Sequence, residues 1–394
     1  MQKAPMQPPL RERVVEQIHR EGPLPFDRYM EAALYDPTDG FFTRGSGAGR
    51  ARGDFLTSPE VGSLFGALVA VALDRWWSEL GEPDPYLVIE PGAGSGRLAR
   101  DVLRSEPRCA PSLRYVMVER SEELRQKAHE HMSVEPAEEV LGPVLFDDPE
   151  LTPEPMPGMG PIVTALGELP VGPLTGVVIA NELFDNLPFR VVERTSDGWD
   201  EIRVGVGDGE ELVDFPVPAD PTLVEGVETL ARATPIGSRI PLHTGVADWL
   251  QSCGSMLTSG IVAVVDYAAR AESMVERGHE GWLRTYRSHQ RGTGPLDAPG
   301  AQDITCDVMT EQLQRLALRA GFTIERECSQ ADWLGDLGID GMVALARSAW
   351  SERAHVGDLE ALKARSVVNE APALVDPGGL GAHRVFVLSK KPRH

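Results

Sequence analysis

The chain has 394 residues, of which 42% are hydrophobic and 25% are charged, a balance typical of folded globular proteins and not of disordered ones. Its 38 basic and 60 acidic residues give a formal net charge of −22. A surface of that sign repels phosphate backbones and anionic lipid, so we expect neither nucleic acid nor a membrane as a partner. Four cysteines without paired spacing and nine histidines without a metal-ligand pattern exclude a disulfide scaffold and predict no metal site.

The apolar segments and the N-terminal residues lead to a prediction about the compartment. The longest apolar stretch, Val61 to Leu73, is shorter than the roughly 20 residues that a bilayer-spanning helix needs. The first 20 residues contain no apolar signal-peptide core, and they include acids that a mitochondrial transit peptide avoids. These features predict a cytoplasmic protein.

The N-terminal part of the chain has helical patterns. Apolar spacing predicts a helix over residues 10–20, and a second, short helix ends at the Asp36-Pro37 pair. Residues 43–53 hold four glycines and three arginines, which fit either a surface loop or a loop that closes over a ligand. Ser58-Pro59-Glu60 has a capping hydroxyl, a proline and an acid, and it predicts the start of a buried helix that continues over residues 61–80.

Further along the chain, short apolar strands alternate with helices, which predicts an α/β protein with a doubly wound sheet. The strands are predicted at residues 86–90, 113–119, 160–166, 175–182, 260–267, 322–329 and 383–390. Alternating polarity on both sides of Ser196-Asp197-Gly198 predicts a hairpin inserted into this pattern.

These elements predict a two-part organisation of the chain. We expect residues 1–80 to form a helical segment that packs on the core, and residues 81–394 to form the main domain. That domain has insertions at about 189–250 and 268–305. We expect the second insertion to be a long lid segment that has no hydrophobic core of its own.

The most informative segment is the one from Ile89 to Arg97, in which Glu90 precedes three glycines, Gly92, Gly94 and Gly96. Glycines between a strand and a helix let backbone amides approach a ligand at a helix N-terminus. The spacing is E-x-G-x-G-x-G and not the G-x-G-x-x-G of dinucleotide sites. It suits S-adenosylmethionine, whose methionine ammonium matches the Glu90 carboxylate and whose carboxylate matches the loop amides.

Two further groups of acids follow at strand ends. The second strand ends at Glu119, which can accept both ribose hydroxyls of a nucleotide. The fourth strand ends at Asn181 and Glu182, with Asp185 three residues on, and chemistry in such sheets occurs at the carboxyl ends of the strands. The pattern favours a class I methyltransferase. For the glycine loop, two alternatives remain: a nicotinamide or flavin site, or a purely structural turn. For the two acids, the alternatives are that Asp185 caps a turn and that Glu182 is a solvated side chain.

Together these segments resemble the MidA family of S-adenosylmethionine-dependent methyltransferases, relatives of the mitochondrial arginine methyltransferase that assists complex I assembly. The resemblance runs from about Pro25 to Ile339. It is carried by FDRYMEAALYDPTDGFF, GDFLTSPEVGSLFG, EPGAGSGRL, IANELFDNLPF, VVDY and PLDAPGAQDIT. The chain departs from the usual family pattern at Pro91, Ala93 and Arg97, and Asp266-Tyr267 lacks a following glycine.

The resemblance implies a Rossmann-like methyltransferase fold, S-adenosylmethionine as cofactor and a protein substrate with an arginine acceptor. It implies that the glycine loop and the second strand contact the cofactor, through Glu90, Gly92, Gly94, Gly96 and Glu119. It also implies that Asp54, Thr57 and Ser58 border the cofactor pocket. It implies active-site roles for Asn181, Glu182 and Asp185.

We predict from this a methyltransferase that modifies protein arginine. Paired carboxylates such as Glu182 and Asp185 can hold a guanidinium. His289 in the lid is a candidate proton relay, and the alternative interpretation of this residue is a solvated loop histidine. The alternatives for the whole chain are a small-molecule methyltransferase, a cofactor-binding assembly factor without catalysis, and a nucleotide-dependent oxidoreductase.

Overall fold

The computed structural model describes residues 8–43, 57–141, 158–228, 234–287 and 290–392. The chain forms two compact units, which we name by their largest sheets. The five-strand unit comprises Met1–Asp54, Phe184–Leu250 and Ala268–Leu316, and the seven-strand unit comprises Phe55–Leu183, Gln251–Tyr267 and Ala317–His394. Both segments expected to be insertions therefore belong to the five-strand unit, whereas residues 55–80 group with the seven-strand unit.

The helices and strands of the described residues are as follows. The helices are α1 (Leu10–Glu21), α2 (Phe26–Tyr35), α3 (Ser58–Val61), α4 (Ser63–Glu79), α5 (Arg97–Arg104), α6 (Glu122–His129), α7 (Ala137–Leu141), α8 (Pro221–Glu228), α9 (Thr244–Met256), α10 (Ala271–Arg277), α11 (His279–Trp282), α12 (Thr310–Arg319), α13 (Gln330–Leu337), α14 (Ile339–Arg353) and α15 (Leu359–Val375). The strands are β1 (Leu24–Pro25), β2 (Tyr86–Pro91), β3 (Leu113–Val118), β4 (Ile162–Leu166), β5 (Leu174–Asn181), β6 (Arg190–Arg194), β7 (Trp199–Val206), β8 (Leu212–Pro218), β9 (Arg239–Leu242), β10 (Leu257–Asp266), β11 (Ala268–Ala269), β12 (Leu283–Arg287), β13 (Gln290–Arg291), β14 (Asp303–Cys306), β15 (Val308–Met309), β16 (Thr323–Ser329) and β17 (Arg384–Lys390).

The seven-strand sheet has the order β16-β17-β10-β5-β2-β3-β4. The pairs β10–β5, β5–β2, β2–β3 and β3–β4 are parallel, and β17 is antiparallel to both of its neighbours. This is the doubly wound α/β sheet predicted from the alternation of strands and helices, so the predicted fold class is confirmed. Because the strand order reverses at β2, the carboxyl ends of β2 and β5 form the crevice where such sheets bind ligands.

The predicted buried helix over residues 61–80 is present but begins differently. Thr57, not Ser58, is the N-cap of α3: its side chain and that of Glu60 form a capping box. The helix then breaks at Gly62, and α4 starts at the next residue. The first turn of α4 is capped from far along the chain, because the buried Glu370 carboxylate accepts the Leu64 amide at 2.8 Å.

The five-strand unit has its own hydrophobic core. Its sheet has the order β1-β7-β6-β9 with β8 on the other edge of β7, and β6 and β7 form the predicted hairpin, in which Arg194 faces Trp199. The expectation that residues 268–305 lack a core is wrong. Met274, Trp282 and Ile304 are buried in the core of this unit, together with apolar residues of α1 and α2.

No helix in the described ranges combines the length and the apolar character that crossing a bilayer requires.

We predict that Gly66→Ala destabilises the seven-strand unit, since α4 and α5 touch at this glycine. A Cβ at residue 66 would lie 2.6 Å from the Asp101 Cβ and 2.9 Å from its carbonyl carbon, so the helices would have to separate, at a cost of about 1–3 kcal/mol. The matched control is Gly341→Ala on α14, where no atom lies within 4 Å of the added Cβ. This control should stabilise by about 0.4–1 kcal/mol. Chemical unfolding of both variants checks the prediction, and equal effects would contradict it.

Candidate active site

The loop between β2 and α5 turns at three glycines with positive φ angles, Gly92 at 72°, Gly94 at 55° and Gly96 at 75°. Residues with a Cβ rarely adopt these angles. The loop is also fixed by its own hydrogen bonds: the Gly92 amide donates to the Val118 carbonyl at 2.8 Å, and the Gly96 amide donates to the Ala93 carbonyl at 2.9 Å. The glycine spacing therefore produces a rigid turn that leads into the N-terminus of α5.

The three glycines have different surroundings. A Cβ on Gly96 would lie 2.7 Å from the Met117 sulfur, so the flexible Met117 side chain would have to move. A Cβ on Gly92 would lie 3.1 Å from the Leu183 side chain. At Gly94 no protein atom lies within 4 Å of the Cβ position. This side of the loop is open and leaves room for a ligand against the backbone.

Glu119, at the end of β3, is held by two backbone amides. Its Oε2 accepts the Gly94 amide at 3.0 Å, and its Oε1 accepts the Ser121 amide at 2.8 Å. An ionised carboxylate has about four acceptor positions. Two of them stay available after these bonds, which is the number that two ribose hydroxyls require. Burial raises the pKa of Glu119, and the two amide bonds oppose that rise.

Glu90 is buried at the end of β2. The Tyr115 hydroxyl donates to its Oε2 at 2.8 Å, and its carboxyl also takes a hydrogen bond from the Ala99 backbone. Burial raises the pKa of Glu90 to about 8, although these two bonds act in the opposite direction. Glu90 is therefore protonated at neutral pH in this structure, and a cation beside it would favour the ionised form.

The end of β5 is joined to the segment before α4 by a carboxylate. Glu182 has a φ of +48°, which is rare for a residue with a Cβ. Its Oε1 accepts the Ser58 amide at 3.0 Å and the Asn181 Nδ2 at 3.3 Å. The Asn181 Oδ1 is buried and has no hydrogen-bond partner among the described residues. A ligand with an N–H or O–H donor would satisfy this oxygen.

Two more polar groups fix this edge of the sheet. The fully buried Asp266, at the end of β10, accepts the Leu183 amide at 3.0 Å and the Tyr267 amide at 2.8 Å. The Tyr267 ring packs edge-on against His383 with a centroid distance of 4.1 Å. Asp266-Tyr267, where the chain lacks the glycine usual in the family, thus orders the backbone that follows Glu182.

Asp185 lies three residues after Glu182 and in a different unit of the fold. It belongs to the five-strand unit, whereas Glu182 belongs to the seven-strand unit. Asp185 is buried, its pKa is raised by burial, and the charged groups that act on it include Arg284, Asp307 and Asp303. Ser58 and Asn181 donate to Glu182, and the paired-carboxylate arrangement expected from the three-residue spacing stays a prediction.

Two predicted site residues, Asp54 and His289, lie outside the described residues, as do residues 44–53 of the glycine-rich loop. Within the described ranges, no group of three or more His, Cys, Asp or Glu side chains is arranged to hold a metal ion.

The sequence did not indicate three residues that support this edge. Tyr115 binds Glu90, and Glu370 caps α4. Gln330 accepts the buried Ser58 hydroxyl at 2.9 Å and donates to the Leu374 carbonyl at 2.9 Å. Only Tyr115 had a local signal, because it lies two residues before Met117 on the strand beside Glu90. Gln330 and Ser58 are 272 residues apart along the chain, and Glu370 and Leu64 are 306 residues apart, so neither contact has a local signal in the sequence.

Comparison with protein families matches residues 68–328, well over half of the chain, to S-adenosyl-L-methionine-dependent methyltransferases. The chain belongs to this family. It is an S-adenosyl-L-methionine-dependent methyltransferase, as the E-x-G-x-G-x-G loop predicted. The nicotinamide, flavin and structural-turn alternatives for that loop are therefore set aside.

Individual relatives of this methyltransferase agree with the family. It is 28% identical over 327 residues to the Drosophila melanogaster protein arginine methyltransferase NDUFAF7 homolog, covering 76% of this chain and 68% of that protein. It is 26% identical over 362 residues to the Homo sapiens protein arginine methyltransferase NDUFAF7, covering 85% and 74%. A crystal structure of a Burkholderia thailandensis protein bound to S-adenosyl-homocysteine has 26% sequence identity and a TM-score of 0.77, covering 100% of this chain and 96% of that one.

The prediction of a cytoplasmic protein is contradicted by these relatives. The Drosophila melanogaster, Danio rerio and Homo sapiens proteins are all named as mitochondrial. The prediction rested on the lack of a bilayer-length apolar stretch and on the composition of the first 20 residues, and these features do not distinguish the two compartments.

We predict that Gly94→Val abolishes cofactor binding in a folded methyltransferase, because the side chain would occupy the open face of the loop. Affinity for S-adenosylhomocysteine, measured by calorimetry, should fall by at least about tenfold, or 1.4 kcal/mol. The control is Gly81→Val, at a glycine with a φ of +84° and no atom within 4 Å of its Cβ position. It carries similar backbone strain and should bind normally. Normal binding by folded Gly94→Val would contradict the placement of the ligand.

Glu90 gives a prediction about pH. A folded-state pKa of about 8 lies above the ordinary value of 4.5, so Glu90 favours the folded state at low pH, and this contribution is lost as the pH rises to about 8. Glu90→Gln should therefore gain stability relative to the wild type between about pH 5 and pH 8, with a constant difference above that. Melting temperatures of both proteins across this range test it, and a difference independent of pH would refute it.

Proposed function

We propose that this methyltransferase transfers a methyl group to an arginine side chain of a partner protein. The observation that carries the proposal is the similarity, over at least three quarters of the chain, to relatives that are named protein arginine methyltransferases. The net charge of −22 supports it, because an acidic surface attracts basic protein segments.

The cofactor is held, in this proposal, by the glycine loop and the acids around it. When bound, S-adenosylmethionine supplies an electrophilic methyl group. The Gly92–Gly96 backbone binds the methionine carboxylate, and Glu90 stabilises the ammonium. Glu119 accepts the two ribose hydroxyls. Asp54, Thr57 and Ser58 form a border of the same pocket.

The arginine acceptor needs acids close to it, because a guanidinium is permanently cationic and a poor nucleophile. When its nitrogen gains a methyl group, it must lose one proton, and a carboxylate that binds the guanidinium can localise charge away from the attacking nitrogen. We assign this role to Glu182 and Asp185, with Asn181 orienting the bound groups through its unpartnered oxygen. His289 is the proposed relay for the proton.

The acceptor class is tested by labelling. Purified enzyme is incubated with radiolabelled S-adenosylmethionine and a lysate of the source cells, and labelled proteins are hydrolysed to amino acids. The proposal requires label in methylated arginine, and it requires none when Gly94→Val replaces the wild type. Label in a small molecule, a lipid or another amino acid would refute an arginine acceptor.

We predict that Glu182→Gln lowers turnover far more than cofactor affinity. The amide keeps an oxygen for the Ser58 amide but removes the negative charge. Turnover should fall by at least about tenfold while the Kd for S-adenosylhomocysteine stays within about threefold, since one lost charge-assisted hydrogen bond is worth about 1.5–3 kcal/mol. The exposed Glu122→Gln on α6 is the control for loss of one acidic charge. Full turnover by folded Glu182→Gln would remove this residue from the chemistry.

A further inference from the structure

The five-strand unit contains a second group of polar residues, on the ladder formed by β12 and β14. In this antiparallel pair Arg284 faces Thr305, and Tyr286 faces Asp303. Cross-strand partners lie on the same side of a sheet, and so do residues two apart on a strand. All four side chains therefore share one face of the ladder.

The turn that carries Asp185 packs against this face. The Asn186 Nδ2 donates to the Asp303 Oδ1 at 2.9 Å and to the Ile304 carbonyl at 3.1 Å. Asp185 precedes Asn186, and it interacts electrostatically with both Asp303 and Arg284. The partner carboxylate of Asp185 in this structure is thus Asp303, which is more than 100 residues away along the chain.

The charges in this group do not balance. Asp185, Asp303 and Asp307 are 5%, 7% and 5% exposed. Asp307 pairs with both arginines of the group, with Arg277 at 2.9 Å and with Arg284. Three carboxylates thus face two guanidinium groups, and the side-chain partner of Asp303 is a neutral amide. With all three carboxyl groups ionised, these described residues would carry one negative charge in excess.

Two oxygens of the group also have no hydrogen-bond partner among the described residues. They are the Asp185 Oδ1 and the Thr305 Oγ, and both atoms are buried. A buried acceptor without a donor costs about 1–3 kcal/mol. A ligand that brings one positive charge and several N–H donors would therefore satisfy the unpartnered oxygens and allow all three carboxyl groups to ionise together.

We propose that Asp185 and Asp303 together bind the guanidinium group of the acceptor arginine, with Thr305 as a further acceptor and Tyr286 at the half-buried end of the same face. This inference rests on the proposed arginine acceptor and names its binding residues. A guanidinium presents five N–H donors in a plane, which suits several oxygens better than the compact ammonium of lysine. Burial raises the pKa values of both carboxyl groups, and Arg284 opposes that rise at Asp185.

The test uses the full chain saturated with S-adenosylhomocysteine and acetyl-arginine amide as the probe, with acetyl-lysine amide for comparison. We expect the wild type to bind the arginine probe more tightly than the lysine probe. Asp185→Asn and Asp303→Asn should each weaken arginine binding at least about tenfold, with unchanged affinity for S-adenosylhomocysteine. The control is Asp297→Asn, an exposed acid of the same unit, which should bind the arginine probe as the wild type does.

Stability distinguishes this role from a structural one. Because each substitution replaces one carboxyl of a closely spaced buried pair with a neutral amide, both variants should melt at the same temperature as the wild type or at a higher one. Lower melting temperatures together with normal probe binding would assign the pair a structural role and overturn the inference. If the lysate experiment labels arginine but both variants bind the arginine probe normally, this inference is overturned and the proposed function is not. Label in another acceptor would overturn the proposed function itself.

Discussion

Hydrogen bonds from backbone amides to buried and half-buried carboxylates hold the carboxyl edge of the seven-strand sheet together. Glu119 accepts the amides of Gly94 and Ser121, and Glu182 accepts that of Ser58. Asp266 and Glu370 do the same for the residue after Glu182 and for the first turn of α4. These bonds join strand ends, loops and helix starts that are distant in the sequence, so the positions of these backbone segments depend on the acids.

This arrangement explains how the pocket is ready for its ligand before binding. A carboxylate oriented by two amides does not have to be ordered when the cofactor arrives, and that reduces the entropic cost of binding. The same bonds account for the positive φ of Glu182, because a residue in a strained conformation persists only where its surroundings fix it. In the five-strand unit, the buried Asp185 Oδ1 has no donor among the described residues, and we infer that its donor comes from the substrate.

The sequence predicted the parts of the site that depend on local spacing. The E-x-G-x-G-x-G turn, the strand that ends at Glu119 and the hairpin at residues 190–206 are short-range features, and the structure contains them. It did not reveal Gln330, Glu370 or Asp303, because their roles come from contacts between distant segments. The break at Gly62 was missed for the same reason, since the cap that makes a new helix start there lies on α15. The core of residues 268–305 was missed because its few apolar residues have no periodic spacing.

A crystal structure of this chain with S-adenosylhomocysteine tests the central claim most directly. The account predicts that both ribose hydroxyls lie within hydrogen-bond distance of the Glu119 carboxylate, which keeps its bonds to the Gly94 and Ser121 amides, and that the ligand occupies the open side of Gly94. A ligand bound away from the glycine loop, or a Glu119 carboxylate that leaves those amides to reach the ribose, would contradict it.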